Sequence, residues 1–404
     1  MSSNLPSISP LFVRYTQMAS ATWMLICCTA GATRAQTSGA VAQTRTFARV
    51  QLLETEAVTS AGVSLGDLDR DGDLDIVLAK GRHWPLHNRV LRNNGRGDFT
   101  AESLADSADR TYTAALADLD GDGDLDVVVS NDRPDRKLVY LNDGTGRYQV
   151  GTTFGQPDWS TRYVTVADVN GDKRPDLLVA NRSGNPAAPK PSYVCLNDGA
   201  GAFPVCRPLA TQSATIIVAA DLDGDGHVDL FVPHRDGGQN LIFWNEGSGS
   251  FSAEPTKVGP ASSAIRAAAV GDLDGDGRLD IVVGDQKAGL FFYRSAGRRA
   301  FAEPTPFGDP KRSPYSIAIA DLDKDGHLDM VVGNDEALGA IYFGIADRAA
   351  GGQPRFRSID WNDGKGAVYG VALGDLNGDG WLDIVAARSD APNGIWWSDA
   401  DRKR

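Results

Sequence analysis

The chain has 404 residues, a formal charge of −13 and four cysteines. It carries no basic run or basic helix face, which excludes nucleic-acid recognition through phosphate neutralisation. Beyond residue 32 no run is long and apolar enough to span a membrane, which excludes a chain that crosses a bilayer repeatedly on helices.

Residues 1–35 read as a secretory signal peptide. Arg14 is the only charge before an apolar stretch from Met18 to Ala32, and no Asp or Glu occurs before Glu54. That stretch is too short to span a bilayer comfortably, so a membrane anchor is the lesser reading. Small residues at Ala30-Gly31-Ala32 and Thr33-Arg34-Ala35 place cleavage near 32–35, with residues 36–45 as a short linker. The expectation is a secreted protein, whether extracellular, periplasmic or at the cell surface. Cys27 and Cys28 would leave with the signal.

From residue 46 to 404 the chain repeats. The nonapeptide Asp67-Leu-Asp-Arg-Asp-Gly-Asp-Leu-Asp75 recurs with starts at Asp118, Asp168, Asp221, Asp272, Asp321 and Asp375, separated by 49 to 54 residues. A fixed period of that size marks a stacked-repeat architecture.

The spacing D-x-[DN]-x-D-G-x-x-D suits a hard cation. Oxygens at positions 1, 3 and 5 curl onto one point, a glycine at position 6 makes the sharp turn, position 7 offers its backbone carbonyl, and position 9 returns a carboxylate. The side-chain ligands expected at positions 1, 3, 5 and 9 are Asp67, Asp69, Asp71 and Asp75, then Asp118, Asp120, Asp122 and Asp126. The third and fourth loops give Asp168, Asn170, Asp172 and Asp176, then Asp221, Asp223, Asp225 and Asp229. The remaining three give Asp272, Asp274, Asp276 and Asp280, then Asp321, Asp323, Asp325 and Asp329, then Asp375, Asn377, Asp379 and Asp383. Asp73, Asp124, Arg174, His227, Arg278, His327 and Trp381 stand at position 7. Calcium accepts six to eight oxygens in flexible geometry, whereas magnesium dehydrates reluctantly, so up to seven Ca²⁺ ions are expected. Seven such ions would offset the net acidity, which therefore does not by itself point to a basic partner. Metal-free Asp/Gly turns are the alternative, but clustered carboxylates without a cation repel one another. Lys173 stands where the other six loops carry glycine, so the third site is expected to be the weakest.

The flanks are strands. β-Branched runs such as Ile76-Val77-Leu78 and Ile281-Val282-Val283 follow the loops, and position 12 lacks the Glu of an EF-hand. A second piece follows each loop, with apolar residues around an Asn/Asp-Gly turn, as in Leu91 to Phe99, Leu141 to Tyr148, Leu196 to Phe203 and Trp244 to Phe251. Each period thus reads as four strands, and the whole as an all-β, seven-bladed β-propeller. The last repeat stops before its closing aromatic, and Phe47 at the other end supplies one, so the N-terminal strand is expected to complete the last blade and close the ring. Cys195 and Cys206 fall on the two arms of one hairpin, either as a disulfide or as two buried thiols.

With Asp-Leu-Asp-Gly-Asp-Gly-x-x-Asp at Asp221 and Asp272, the chain resembles the FG-GAP/VCBS repeat family, which includes the N-terminal propellers of integrin α subunits. The resemblance implies calcium loops on one face, between the first and second strands of each blade. Integrin function does not carry over, because all seven repeats keep the loop and no leg region or membrane span follows.

A ligand would then meet the opposite face. Six residues before each metal loop stand Ala61, Tyr112, Arg162, Thr215, Arg266, Tyr315 and Tyr369, expected at the mouth of the central channel. The connections after the second strands add Arg82-His83-Trp84, Asn131-Asp132-Arg133, Asn181-Arg182 and His234-Arg235-Asp236. His83, Tyr112, Arg162, His234, Arg266, Tyr315 and Tyr369 are the candidate ligand-binding residues; such side chains suit sugars or acidic groups through stacking and bidentate hydrogen bonds. Ordinary solvated loop residues are the plain alternative. No nucleophile elbow, zinc cluster or phosphate loop occurs, so no catalytic residue is assigned. The leading reading is a calcium-binding adhesion module, a monomer, for a glycan or an extracellular protein. The alternative is a polysaccharide-active enzyme of lyase or dehydratase type. A third reading, an assembly module, would need an apolar patch, for which Trp396 and Trp397 are the only hint.

Overall fold

A computed structural model of the chain describes residues 45–183, 190–210, 213–347 and 353–400. The expected signal peptide and its cleavage region lie outside the described residues. Within them there are seven four-stranded antiparallel sheets, one small hairpin and no helix: an all-β propeller of seven blades.

In blade 1 the strands are Ser60–Gly66, Asp75–Lys80, Arg89–Asn93 and Phe99–Ser103, running from the channel outward. The second strand is buried at all six positions, and the fourth is almost wholly exposed. A central strand covered on both faces by neighbouring blades needs a continuous apolar run, which is what Ile76-Val77-Leu78-Ala79 supplies. The same gradient recurs in blade 2, from Asp126–Asn131 to Tyr148–Phe154. Seven apolar clusters fill the seven interfaces between blades. One joins Leu68, Val77 and Val90 of blade 1 to Leu116, Val127 and Tyr140 of blade 2, and another packs Val385, Ile395 and Trp397 of blade 7 on Leu65, Ile76 and Leu91 of blade 1.

Blade 7 has strands Ala367–Gly374, Asp383–Ser389 and Gly394–Ala400, and its outermost strand is Arg45–Leu52, antiparallel to Gly394–Ala400. Phe47 is buried against Trp361 and Trp396. Trp396 and Trp397 are core residues, so they present no surface patch. Cys195 and Cys206 pair directly across the third and fourth strands of blade 3 and form a disulfide.

One irregularity repeats. In six blades the inner strand shifts register by one residue near its start, between Ser60 and Gly62, Thr111 and Thr113, Thr161 and Tyr163, Ile265 and Ala267, Pro314 and Ser316, and Val368 and Gly370. The residues skipped are Ala61, Tyr112, Arg162, Arg266, Tyr315 and Tyr369. A β-bulge bends its strand and re-aims the extra side chain; here it turns these six toward the axis.

Candidate functional site

Two sites emerge, one on each face. The connection from first to second strand is the acidic loop, the candidate metal loop, in every blade, and its geometry is repeated. The amide of position 6 donates to the position-1 carboxylate in all seven loops, at 2.7–3.0 Å. The amide of position 7 donates to Oδ1 of the position-5 carboxylate in every copy, at 2.9–3.0 Å. These turns aim the remaining oxygens at one point. Five loops gather three carboxylates with ligand atoms within 4.8 Å of one another: Asp67, Asp69 and Asp71; Asp118, Asp120 and Asp122; Asp221, Asp223 and Asp225; Asp272, Asp274 and Asp276; and Asp321, Asp323 and Asp325. The third and seventh loops carry Asn170 and Asn377 in place of one carboxylate.

The donor set fits a hard cation. Asp69 Oδ1 and Asp323 Oδ1 are buried without a hydrogen-bond partner, an arrangement that costs free energy unless a cation meets the oxygen. Burial, followed by the neighbouring carboxylates Asp71 and Asp325, pushes both carboxyls above their ordinary range.

Position 9 has a different part. Asp75, Asp126, Asp176, Asp229, Asp280, Asp329 and Asp383 are fully buried. Each accepts one backbone amide from loop position 2 and another from the end of the third strand, at 2.7–3.2 Å. These aspartates brace the sheet whatever else they ligate. Burial pushes Asp75, Asp176 and Asp229 up to about 6, and Asp126, Asp280, Asp329 and Asp383 up to about 7, against the opposing pull of those amides.

Lys173 adopts φ 67°, the left-handed conformation its glycine counterparts take without cost. Position 4 is left-handed too. Glycine stands there in five loops, but Arg70 (φ 62°) and Lys324 (φ 56°) occupy it in the first and sixth. The sequence carries that signal as glycine at Gly121, Gly171, Gly224, Gly275 and Gly378.

On the opposite face, Ala61, Tyr112, Arg162, Thr215, Arg266, Tyr315 and Tyr369 line one cavity at the axis, one residue from each blade. Arg162 lies 4.3 Å over the Tyr112 ring, Arg266 lies 3.9 Å over Tyr315, and Arg82 lies 3.9 Å over Tyr369. Tyr315 and Tyr369 meet edge to face at 4.9 Å. Such stacking fixes a guanidinium plane while leaving its N–H edges for an acceptor.

At one side of the mouth His83 Nε2 is 3.0 Å from Tyr112 Oη, and Arg162 pairs with Asp132 at 2.8 Å. Ser160 also donates to Asp132, and His83 Nδ1 lies 3.7 Å from it. Burial, then the charges of Arg82 and Arg162, lowers the His83 pKa.

One candidate falls elsewhere. His234 is 1% exposed, with its ring beneath Gly238, and does not line the cavity. Its neighbour Arg235 takes that place, because successive residues of an extended segment face opposite sides. Burial, then the charges of Arg266 and Arg182, lowers the Arg235 pKa to about 10. Arg82, stacked on Tyr369, and Asp132, paired with Arg162, adjoin this mouth, as does Arg182, whose charge acts on Arg235; each lies in a connection that follows a second strand.

An FG-GAP-like repeat profile matches residues 67–129, 118–179, 168–232, 221–283 and 281–332. Cartilage acidic protein 1 of Xenopus tropicalis is 27% identical over 195 residues, which is 43% of this chain but 29% of that protein. Similar solved structures include two lectins. BP39L from Burkholderia pseudomallei has a TM-score of 0.60 at 15% identity, over 84% of this chain and 95% of that one. An Agrocybe aegerita lectin described as recognising non-reducing terminal N-acetylglucosamine has 0.53 at 19%, over 82% and 87%. At these identities the likeness is one of fold. Among the described residues no helix is long and apolar enough to cross a membrane.

Proposed function

The chain belongs to the FG-GAP-like repeat family, and on that premise we infer that it is a secreted, calcium-stabilised β-propeller that binds a glycan at the axial mouth opposite its metal loops. The observation that carries this reading is the convergence of one side chain from every blade on a single open cavity rich in tyrosine and arginine. Tyrosine rings and guanidinium forks are the groups that meet sugar faces and hydroxyl or acid groups. The lectin-like fold supports the same reading. Calcium is the ion that suits seven oxygen-only loops of this flexibility; it would bridge the loop carboxylates and relieve their mutual repulsion.

The test is a glycan-array screen of the secreted protein with Ca²⁺ and again after EGTA. Binding to one glycan class that weakens in EGTA is the expected result. Silence on the array, with a Tm that still drops in EGTA, would overturn the glycan reading and turn the search to protein partners. A Tm indifferent to EGTA would overturn the calcium reading.

A second reading is favoured by one contact. Tyr112 and His83, 3.0 Å apart beside Arg162, are groups that could act as an acid–base pair with a cation to steady a carboxylate, as an extracellular polysaccharide lyase or dehydratase requires. Formation of a carbon–carbon double bond in the sugar, read as new ultraviolet absorbance and abolished by Tyr112→Phe, would establish it; polysaccharide without new absorbance after prolonged incubation would exclude it.

A further inference from the structure

We propose that the axial mouth is an oxyanion site, and that its ligand is an acidic saccharide held through its carboxylate by Arg235 and Arg266. The proposal rests on reading this cavity as the glycan site and narrows the class of glycan.

The charge balance of the mouth carries it. Arg162, Arg235 and Arg266 line the cavity, Arg82 stacks on Tyr369 of its wall, and the charge of Arg182 acts on Arg235, in a protein whose net charge is −13. Asp132 pairs with Arg162 at 2.8 Å, and Asp236 pairs with Arg182 at 3.0 Å. The charge of Asp335 acts on Tyr315. Among the described residues, Arg82, Arg235 and Arg266 have no carboxylate within ion-pair distance. Arg82 donates to Ser389 Oγ at 3.1 Å and Arg266 donates its Nε to Gln286 Oε1 at 2.9 Å. The Arg235 Nε is shielded from solvent without a hydrogen-bond partner among the described residues, and the opposing charge that acts on this guanidinium is that of Asp236, already paired with Arg182.

Shielding a cation without a partner is costly, and crowding it against other arginines costs more. A carboxylate between Arg235 and Arg266 would relieve both costs. It would find N–H donors whose planes are already set, since Arg266 is held over Tyr315 and lies 5.6 Å from the Tyr369 ring. The cavity has a free volume of ≈ 90 Å³. That is room for roughly six water-sized groups, which suits a carboxylate and one edge of a sugar ring. At the rim of the same face Trp84 is 70% exposed, free to cover a neighbouring sugar.

The experiment compares oligogalacturonate with oligomers of N-acetylglucosamine by calorimetry, on wild type, Arg235→Gln and Arg266→Gln, at low and high salt. Tm in Ca²⁺ checks that each variant is folded, and inorganic sulfate serves as a sugar-free probe by thermal shift. Expected is binding to oligogalacturonate that weakens with salt and falls tenfold or more in both variants. Wild-type binding to neutral oligomers, unchanged in the variants, would overturn this inference and leave the glycan reading standing. Stabilisation by sulfate that is lost in both variants, without binding to any saccharide, would overturn the glycan reading and the saccharide half of this one, leaving the oxyanion site. Indifference of wild type to every probe would overturn both.

Discussion

Asn142 donates its side-chain amide to the carbonyl of Leu68, 2.8 Å away and 74 residues earlier in the chain, and to Leu125 of its own blade at 3.1 Å. It thereby ties the outer hairpin of blade 2 to the metal loop of blade 1. Asn93, Asn197 and Asn245 make the same double bond, each to its own metal loop and to that of the preceding blade, Asn93 reaching Leu376 of blade 7. In blades 5, 6 and 7 the matching positions are Ser295, Gly344 and Ser398, which keep the backbone bond to the position-9 aspartate but, among the described residues, donate no side-chain bond to a preceding loop; the Ser398 hydroxyl instead accepts from Arg45 Nε at 2.9 Å within its own blade.

Asn142→Ala should therefore destabilise the propeller by about 1–3 kcal/mol, because two buried carbonyls lose their donor. Denaturant unfolding would measure it as a lower midpoint with an unchanged slope; Ser295→Ala, whose hydroxyl accepts only from the Gly297 amide at 3.4 Å and makes no inter-blade bond among the described residues, should cost less. Equal effects would remove the inter-blade role assigned to the asparagine.

Lys173→Gly should strengthen the third metal loop. The left-handed backbone at φ 67° costs a non-glycine residue about 1 kcal/mol, and the substitution also removes a cation from the loop. Calcium titration should show tighter binding by one site, with a Tm in Ca²⁺ above that of wild type. A Tm lowered in Ca²⁺ would mean that Lys173 contributes a contact worth more than the strain.

Phe47→Ala should cost about 3–5 kcal/mol, the usual range for emptying a buried aromatic site. Phe47 packs with Trp361 and Trp396 and sits on the only strand of blade 7 that comes from the other end of the chain. Intrinsic tryptophan fluorescence should report the loss directly.

His234 predicts a pH dependence. Burial lowers its pKa to about 4 from an ordinary 6.5, so the folded protein holds the imidazole neutral. The unfolded chain binds that proton more readily, so this contribution to stability is intact above pH 6.5 and is lost as pH falls toward 4. The difference amounts to roughly 3 kcal/mol at the acid end. Comparing wild type with His234→Leu in denaturant melts at pH 7.5, 6 and 4.5 isolates it, since the buried aspartates titrate alike in both. A gap between the two proteins that stays constant with pH would contradict the assignment.

Local chemistry settled much of this protein in the sequence alone. The count of seven, the loops and the strands on either side of them are written in residues that act on their immediate neighbours. Asp67 and Gly72 shape one turn, and Ile76 to Ala79 can be buried on both faces wherever the strand lies. What the loops left hidden followed from the same short range: the left-handed position 4 was legible as glycine in five copies and obscured by Arg70 and Lys324 in two. The mouth was legible in outline, because a constant offset from each loop picked out one residue per blade. Its chemistry was not. Whether His234 or Arg235 faces the axis depends on the local direction of the strand end, and the six register shifts that aim Tyr112 and Arg266 inward depend on pairing with the second strand. The contacts that define the mouth and tie blade to blade, Arg162 with Asp132, Arg266 over Tyr315 and Asn142 with Leu68, join residues tens of positions apart. Only the packing of blade on blade brings them within hydrogen-bond or stacking distance, so the partner of each arginine, and the absence of one for Arg235 among the described residues, were decided by the tertiary structure.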